Sequence, residues 1–212
     1  MKQVWQIDPE FRRLSVLLSP EEENRLESSL LREGCKEPIA VWHGCILDGH
    51  KRYEICSYEE MDYKTVEMNF VSREDAIIWI CKKRVKESSA NKTIYKYLVG
   101  KWYNAEKKRI HAKQKEKRRK SLDLAIKQKG EEGQLVSIPV NRISKVIAVQ
   151  ISMSYNSVES YGMLAKFLDE ISEKDEVFFT ALVENKIVIS FEKLRKFEIG
   201  RASCRERVCP SV

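Results

Sequence analysis

The chain has 212 residues, 42% of them hydrophobic and 33% charged, with 39 Lys and Arg against 32 Asp and Glu for a formal charge of +7. This length fits one large or two small domains. No run approaches the ~20 apolar residues that a spanning helix requires, and the N-terminus carries no apolar signal segment, so a cytoplasmic protein without membrane contact is expected. The six cysteines, at positions 35, 45, 56, 81, 204 and 209, form no Cys-x-x-Cys pair. Zinc and a disulfide framework are therefore both poorly supported. The basic excess is local. Residues 1–100 hold 16 Lys and Arg against 17 acids, residues 101–129 hold 12 against 3, and residues 130–212 hold 11 against 12. A confined basic segment is a candidate for contact with a phosphate backbone.

Taken in order, residues 1–18 mix apolar and charged side chains and read as a short strand with an irregular lead-in. Ser19 before Pro20-Glu21-Glu22 is a helix start, with a capping serine, proline at the first helical position and acids in the first turn. Leu26, Leu30 and Leu31 are expected on one face of that helix, and Gly34 ends it. Two short β-rich runs follow, Pro38–Trp42 and Cys45–Leu47, joined by the turn His43-Gly44. Asp48-Gly49 then stands where a strand hands over to a short helix. The first N–H groups of a helix lack intrahelical partners and carry the positive end of its dipole. Gly49 would let a phosphate approach them, with His50, Lys51 and Arg52 adding donors and charge. The same residues also suit a plain turn in which Asp48 caps the helix and the basic side chains stand in solvent. Lys64–Phe70 alternates as a strand does. Ser72 begins another helix as its cap, with Asp75 three residues on as an acidic variant of the capping box.

The order Leu26–Leu31, Gly34, Pro38-Ile39-Ala40-Val41, then Asp48-Gly49-His50-Lys51-Arg52-Tyr53, resembles the N-terminal domain of ParB-like proteins over roughly residues 1–100. That superfamily includes plasmid-partition proteins that bind CTP, sulfiredoxins that use ATP, and free-serine kinases. The resemblance implies a small mixed sheet flanked by helices. It also implies a nucleotide phosphate, of CTP or ATP, held by Gly49 and Arg52 within the segment Asp48–Tyr53. Sulfiredoxins need a cysteine inside this motif; the nearest here are Cys45 and Cys56, which disfavours that branch. In mobile-element members an Asn-Gln-x-x-Arg-Arg-Asn segment completes the site. The corresponding stretch here is Lys83–Ser89, where Glu87 and Ser88 stand in place of the paired arginines. An acid beside a phosphate repels it.

From Lys92 to Gln128 the chain reads as helical, with an apolar stripe of Ile94, Tyr95, Leu98, Trp102 and Tyr103. The run Tyr97-Leu98-Val99-Gly100-Lys101-Trp102-Tyr103 resembles a pattern of the same mobile-element group. Beyond it, Lys107–Arg109 and Lys113–Lys120 are too polar to pack. They make either a solvated linker or an arm along DNA, with Lys117, Arg118, Arg119 and Lys120 as its densest part. Gly130–Gly133 is a plausible boundary.

Residues 142–161 resemble a helix-turn-helix. Ala148 is small where the second helix must cross, Ser152 takes the turn position usually held by glycine, and Val158 plugs the core. Ser154 is expected to cap the second helix. Tyr155, Asn156, Ser157 and Ser160 would then lie at its N-terminal end, facing the major groove, with Arg142 and Lys145 nearby on the first helix. An ordinary helical hairpin fits the same spacing. Met163, Leu164, Phe167, Leu168 and Ile171 would serve as core or as the contact of a homodimer. Two further apolar runs, Phe178–Leu182 and Ile187–Leu194, resemble the short helical tail of the same mobile-element group, which implies a small second helical unit there. Residues 198–208 look like the translation of a sequencing adapter, so a non-native, disordered tail is expected over 198–212, with the natural C-terminus missing.

The expected organisation is α+β. A ParB-like domain over 1–90 leads into a basic helical linker over 91–130 and an all-α helix-turn-helix region over 131–197. Two function classes follow. One is a protein of a plasmid, phage or integrative element that binds double-stranded DNA in partition, replication or transcription. The other is a nucleotide-dependent phosphotransferase or CTP-switch enzyme, in which Asp48 would orient a metal or a substrate hydroxyl.

Overall fold

The computed structural model describes residues 4–15, 20–87, 92–127 and 141–187, with the backbone alone described for Pro20, 121–127 and Asn141. The readings of Ser19 as a cap, of Gly130–Gly133, of Ile187–Leu194 beyond Ile187, and of the tail 198–212 lie outside these residues.

Where a strand is expected first, the chain forms helix α1, Pro9–Ser15. The Asp8 carboxylate accepts from the backbone N–H groups of Glu10 (2.9 Å) and Phe11 (3.1 Å), and Pro9 takes the first helical position, so a cap and a preset φ outweigh the apolar mixture. Among the described residues of this segment, the strand character is one isolated bridge, Gln6 to Cys45. Helix α2 spans Pro20–Glu33. Leu30 is buried and Leu26 half-buried, but Leu31 is 55% exposed; one step of about 100° past Leu30 turns it off the packed face.

Strands β1 (Ile39–Trp42) and β2 (Cys45–Asp48) form an antiparallel hairpin. His43 and Gly44 both have positive φ, as a two-residue hairpin turn of matching twist requires. Helix α3 (His50–Tyr58) leads to β3 (Thr65–Glu67), shorter than expected and parallel to β1, so the mixed sheet runs β2-β1-β3. Helix α4 is Arg73–Glu87. Its start follows the capping pattern in part: the Asp75 N–H donates to Ser72 Oγ (3.2 Å), while the Ser72 hydroxyl donates to the Asp75 carboxylate (2.7 Å).

The remaining described elements are helices: α5 (Lys92–Lys127), α6 (Asn141–Gln150), α7 (Tyr155–Lys174) and α8 (Glu176–Val183). The first half of α5 is core. Tyr97, Leu98, Val99, Trp102, Tyr103 and Ala105 are buried in one cluster that runs from Phe11 and Leu47 through α4 to Ile147, Val158, Leu168 and Val183. Gly100 is required here by close approach, because a Cβ at that position would overlap the backbone carbonyl of Tyr161 on α7. The crossing also buries charge. Lys101, 7% exposed, donates to Asp169 of α7 (2.8 Å) and to Glu10 of α1. Burial alone would lower the Lys101 pKa, but Asp169 and Glu10 outweigh it and raise it. Removing one member of such a set would leave a buried charge uncompensated.

Among the described residues no helix is long and apolar enough to cross a membrane, and no three His, Cys, Asp or Glu side chains converge to hold a metal ion.

Candidate functional site

Two regions gather the candidate side chains. The first is the junction of β2 and α3. Gly49 is the N-cap of α3 at φ 90°, ψ 23°, and makes no side-chain cap. Glycine takes this left-handed conformation without cost; a Cβ there would also meet the Arg52 guanidinium at 3.1 Å. Asp48 does not cap the helix. Its carboxylate, only 4% exposed, turns to α4, where it accepts from Lys83 Nζ (2.8 Å) and Arg84 Nη2 (2.6 Å), with Arg52 Nη2 at 3.5 Å. Burial would raise the Asp48 pKa, but Arg84, then Lys83 and Arg52, hold it below the ordinary value. Two of the three cations have a second acidic partner: Arg52 pairs with Glu37 (2.9 Å) and Arg84 with Glu87 (2.8 Å). Arg52, Lys83 and Arg84 are thus matched by Asp48, Glu37 and Glu87. Glu87, an acid where the resemblance has an arginine, neutralises one of the cations directly.

The other expected members of this segment face elsewhere. His50 is 1% exposed and its Nδ1 lies 2.6 Å from Ser15 Oγ of α1, while Nε2 has no partner. Burial lowers its pKa to about 4, so the ring is neutral at pH 7 and adds no positive charge. Lys51 pairs with Glu23 (3.0 Å) and Glu54 (3.4 Å). The Tyr53 hydroxyl accepts from the Trp5 N–H (3.2 Å), and its ring stands edge-on to Tyr63. Lys83 and Arg84 open the stretch that the resemblance sets at this site, but neither is singled out there as a binding residue, and the structure brings both to Asp48. They come from 35 and 36 residues away, and their signal was a basic pair near the end of an amphipathic helix.

The second region is the junction of α6 and α7. Residues 151–154 make the turn, with Ser152 at φ 52° in the left-handed region that glycine would take more easily. Ser154 Oγ accepts from the Ser157 N–H (3.2 Å) and caps α7. Ala148, Ile147 and Val158 are buried and Ile151 packs against them, which pins the first turn of α7 against α6. Tyr155 and Asn156 are exposed there, and Ser157 and Ser160 are half-buried. On α6, Arg142 and Lys145 are exposed, and Lys145 Nζ lies 5.8 Å from the Tyr155 ring centroid. On the outer half of α5, Lys117, Arg118, Arg119 and Lys120 are all exposed.

No protein-family model matches the chain, and no curated protein matches it. Among solved structures it is similar to one described as the C2221 form of a Pnob8-like ParB-N domain. The two are 16% identical, the match covers 97% of this chain and 82% of that one, and the TM-score is 0.53. At this identity the likeness is one of fold. It agrees with the small mixed sheet and the mostly helical remainder expected from the sequence.

Proposed function

We propose that this chain binds double-stranded DNA as a regulator or partition-type protein of a mobile element. Residues at the start of α7 would make the base contacts, and the basic outer half of α5 would contact the backbone. The observation that carries this reading is the first turn of α7. It is capped by Ser154, anchored by buried Val158 and Ala148, and exposes Tyr155 and Asn156 beside Arg142 and Lys145. A rigid helix start with polar side chains is what entry into a major groove needs. Asn can pair with adenine in two hydrogen bonds, and serine can take base edges or phosphate. The ParB-N-like fold agrees with such a role without assigning it. An electrophoretic shift on duplexes covering the DNA around its gene tests the proposal: a discrete complex on one duplex that outlasts competitor DNA supports it, and none on any duplex opposes it.

A second reading rests on the Asp48 cluster. The Arg52 guanidinium lies over Gly49 at the start of α3, where it would meet a phosphate of CTP or ATP, and Lys83 and Arg84 bind the same carboxylate as Arg52. The charge balance decides how it would bind. Since Asp48, Glu37 and Glu87 already offset the three cations, an incoming phosphate must displace Asp48 from them or arrive with a cation of its own. Titration calorimetry with CTP and ATP, with and without magnesium, tests this; no heat in either condition would leave the junction as a structural ion cluster.

A further inference from the structure

The outer half of α5 is basic, but its charges are not evenly arranged. At about 100° per residue, Arg109, Lys113, Glu116, Lys117 and Lys120 fall on one side of the helix. Together with Val71, Ser72, Glu74 and Asp75 they line an open cleft of about 580 Å³ between α5 and the start of α4. This side is of mixed charge. Arg109 pairs with Asp75 (3.1 Å) and Glu106 (2.7 Å), and Lys120 with Glu116 (3.2 Å). The opposite arc carries Lys107, Lys108, His111, Lys115 and Arg118 and holds no acid from 107 to 120. Lys108, Lys115 and Arg118 are exposed, and Lys107 packs its ammonium over the Tyr103 ring (5.3 Å to the centroid). Arg119 stands at the edge of this arc, near enough to Glu116 to lower its pKa, after Lys120.

We infer that α5 meets DNA through the acid-free arc of Lys107, Lys108, Lys115 and Arg118, and that the cleft side, although equally rich in lysine and arginine, faces away from the duplex. This rests on the DNA-binding reading above and assigns a face to it. The occupant follows from charge. Turned to DNA, the cleft side would set Glu74, Asp75 and Glu116 against phosphates, and its Arg109 and Lys120 would have to leave carboxylates first. The arc offers cations with no such exchange. From Lys107 to Arg118 it extends over roughly 16 Å of helix, alongside about five phosphates of one strand.

Two triple variants of the full chain remove the same charge: Lys108→Gln with Lys115→Gln and Arg118→Gln, and Lys113→Gln with Lys117→Gln and Lys120→Gln. Glutamine keeps helix propensity, so both should fold. Binding to a labelled 30-base-pair duplex is followed by anisotropy across a salt series, because the slope of log K against log salt counts released counterions and so reports phosphate neutralisation rather than net charge. The arc variant should flatten the slope by about 2–3 units and the cleft variant by less than about 1. Equal flattening in both, or the larger effect in the cleft variant, overturns the assignment while leaving DNA binding intact. A wild-type chain that binds phosphatidylserine vesicles but no duplex overturns the assignment together with the reading beneath it.

Discussion

Arg84 reaches across 36 residues to place Nη2 2.6 Å from the Asp48 carboxylate, which stands immediately before the glycine that opens α3. The contact joins the end of α4 to the β2–α3 junction and sets the charge state of the cluster. With Asp48 ionised and held there by Arg84, Lys83 and Arg52, the cations are satisfied without a ligand.

Asp48→Asn should therefore act in two directions. Three cations lose their shared anion, so stability should fall by on the order of 1–3 kcal/mol, less than for a fully buried pair because Lys83 is 40% exposed. Affinity for CTP or ATP should rise, since the competing carboxylate is gone. Urea unfolding and titration calorimetry read the two effects. Weaker nucleotide binding in the variant would show instead that Asp48 takes part in holding the ligand, directly or through a cation.

His50 should make stability depend on pH. Its folded pKa of about 4 lies below the ordinary 6.5, so the unfolded chain takes up a proton that the folded chain refuses. The contribution is fully present above pH 6.5, shrinks as pH falls towards 4, and is at most about 3 kcal/mol. The other two histidines, His43 and His111, are exposed. Urea midpoints between pH 7 and 4.5 should fall in the wild type and fall less in His50→Asn. Parallel profiles would assign the dependence to other groups.

Gly100→Ala should destabilise the protein although alanine is the better helix former by about 1 kcal/mol. The added Cβ meets the Tyr161 carbonyl, a backbone atom that cannot rotate away, and overpacking of this kind costs about 1–3 kcal/mol. A rise in melting temperature would mean that α5 and α7 do not cross as closely as described.

Much of this arrangement is legible in the residues themselves, and what is missed shares a cause. Ser72 and Ser154 cap their helices because a hydroxyl at that position can take an orphan N–H, a local fact readable from local sequence. The hairpin from Ile39 to Asp48 is local in the same way. Helix α1 was also signalled, by Asp8-Pro9-Glu10, but the apolar residues around it suggest a strand when the cap is given no weight. The resemblance brings Lys83–Ser89 to the phosphate site, but the pairing of Lys83 and Arg84 with Asp48 depends on how α4 packs on β2, which no local pattern encodes. His50 looks like a positive group until the burial imposed by α1 makes it neutral. Similarly, the position of Gly100 within an apolar stripe gives no sign that another helix backbone rests on it.

Asn156→Ala and Ser157→Ala should each lower affinity for the preferred duplex by roughly 1–3 kcal/mol for every base-edge interaction removed, and leave binding to unrelated duplexes unchanged. Competition titrations with preferred and scrambled duplexes separate the two. Equal weakening on both would move these residues from base edges to phosphates.

The most direct test of DNA binding is the salt dependence of wild-type affinity for a 30-base-pair duplex of unrelated sequence, measured by anisotropy between about 50 and 200 mM salt. A protein that lays the basic outer half of α5 along DNA should give a straight line of log K against log salt with a slope of about −4 or steeper, from four or more phosphate contacts. No binding at the lowest salt, or a slope near zero, would contradict DNA binding by this chain.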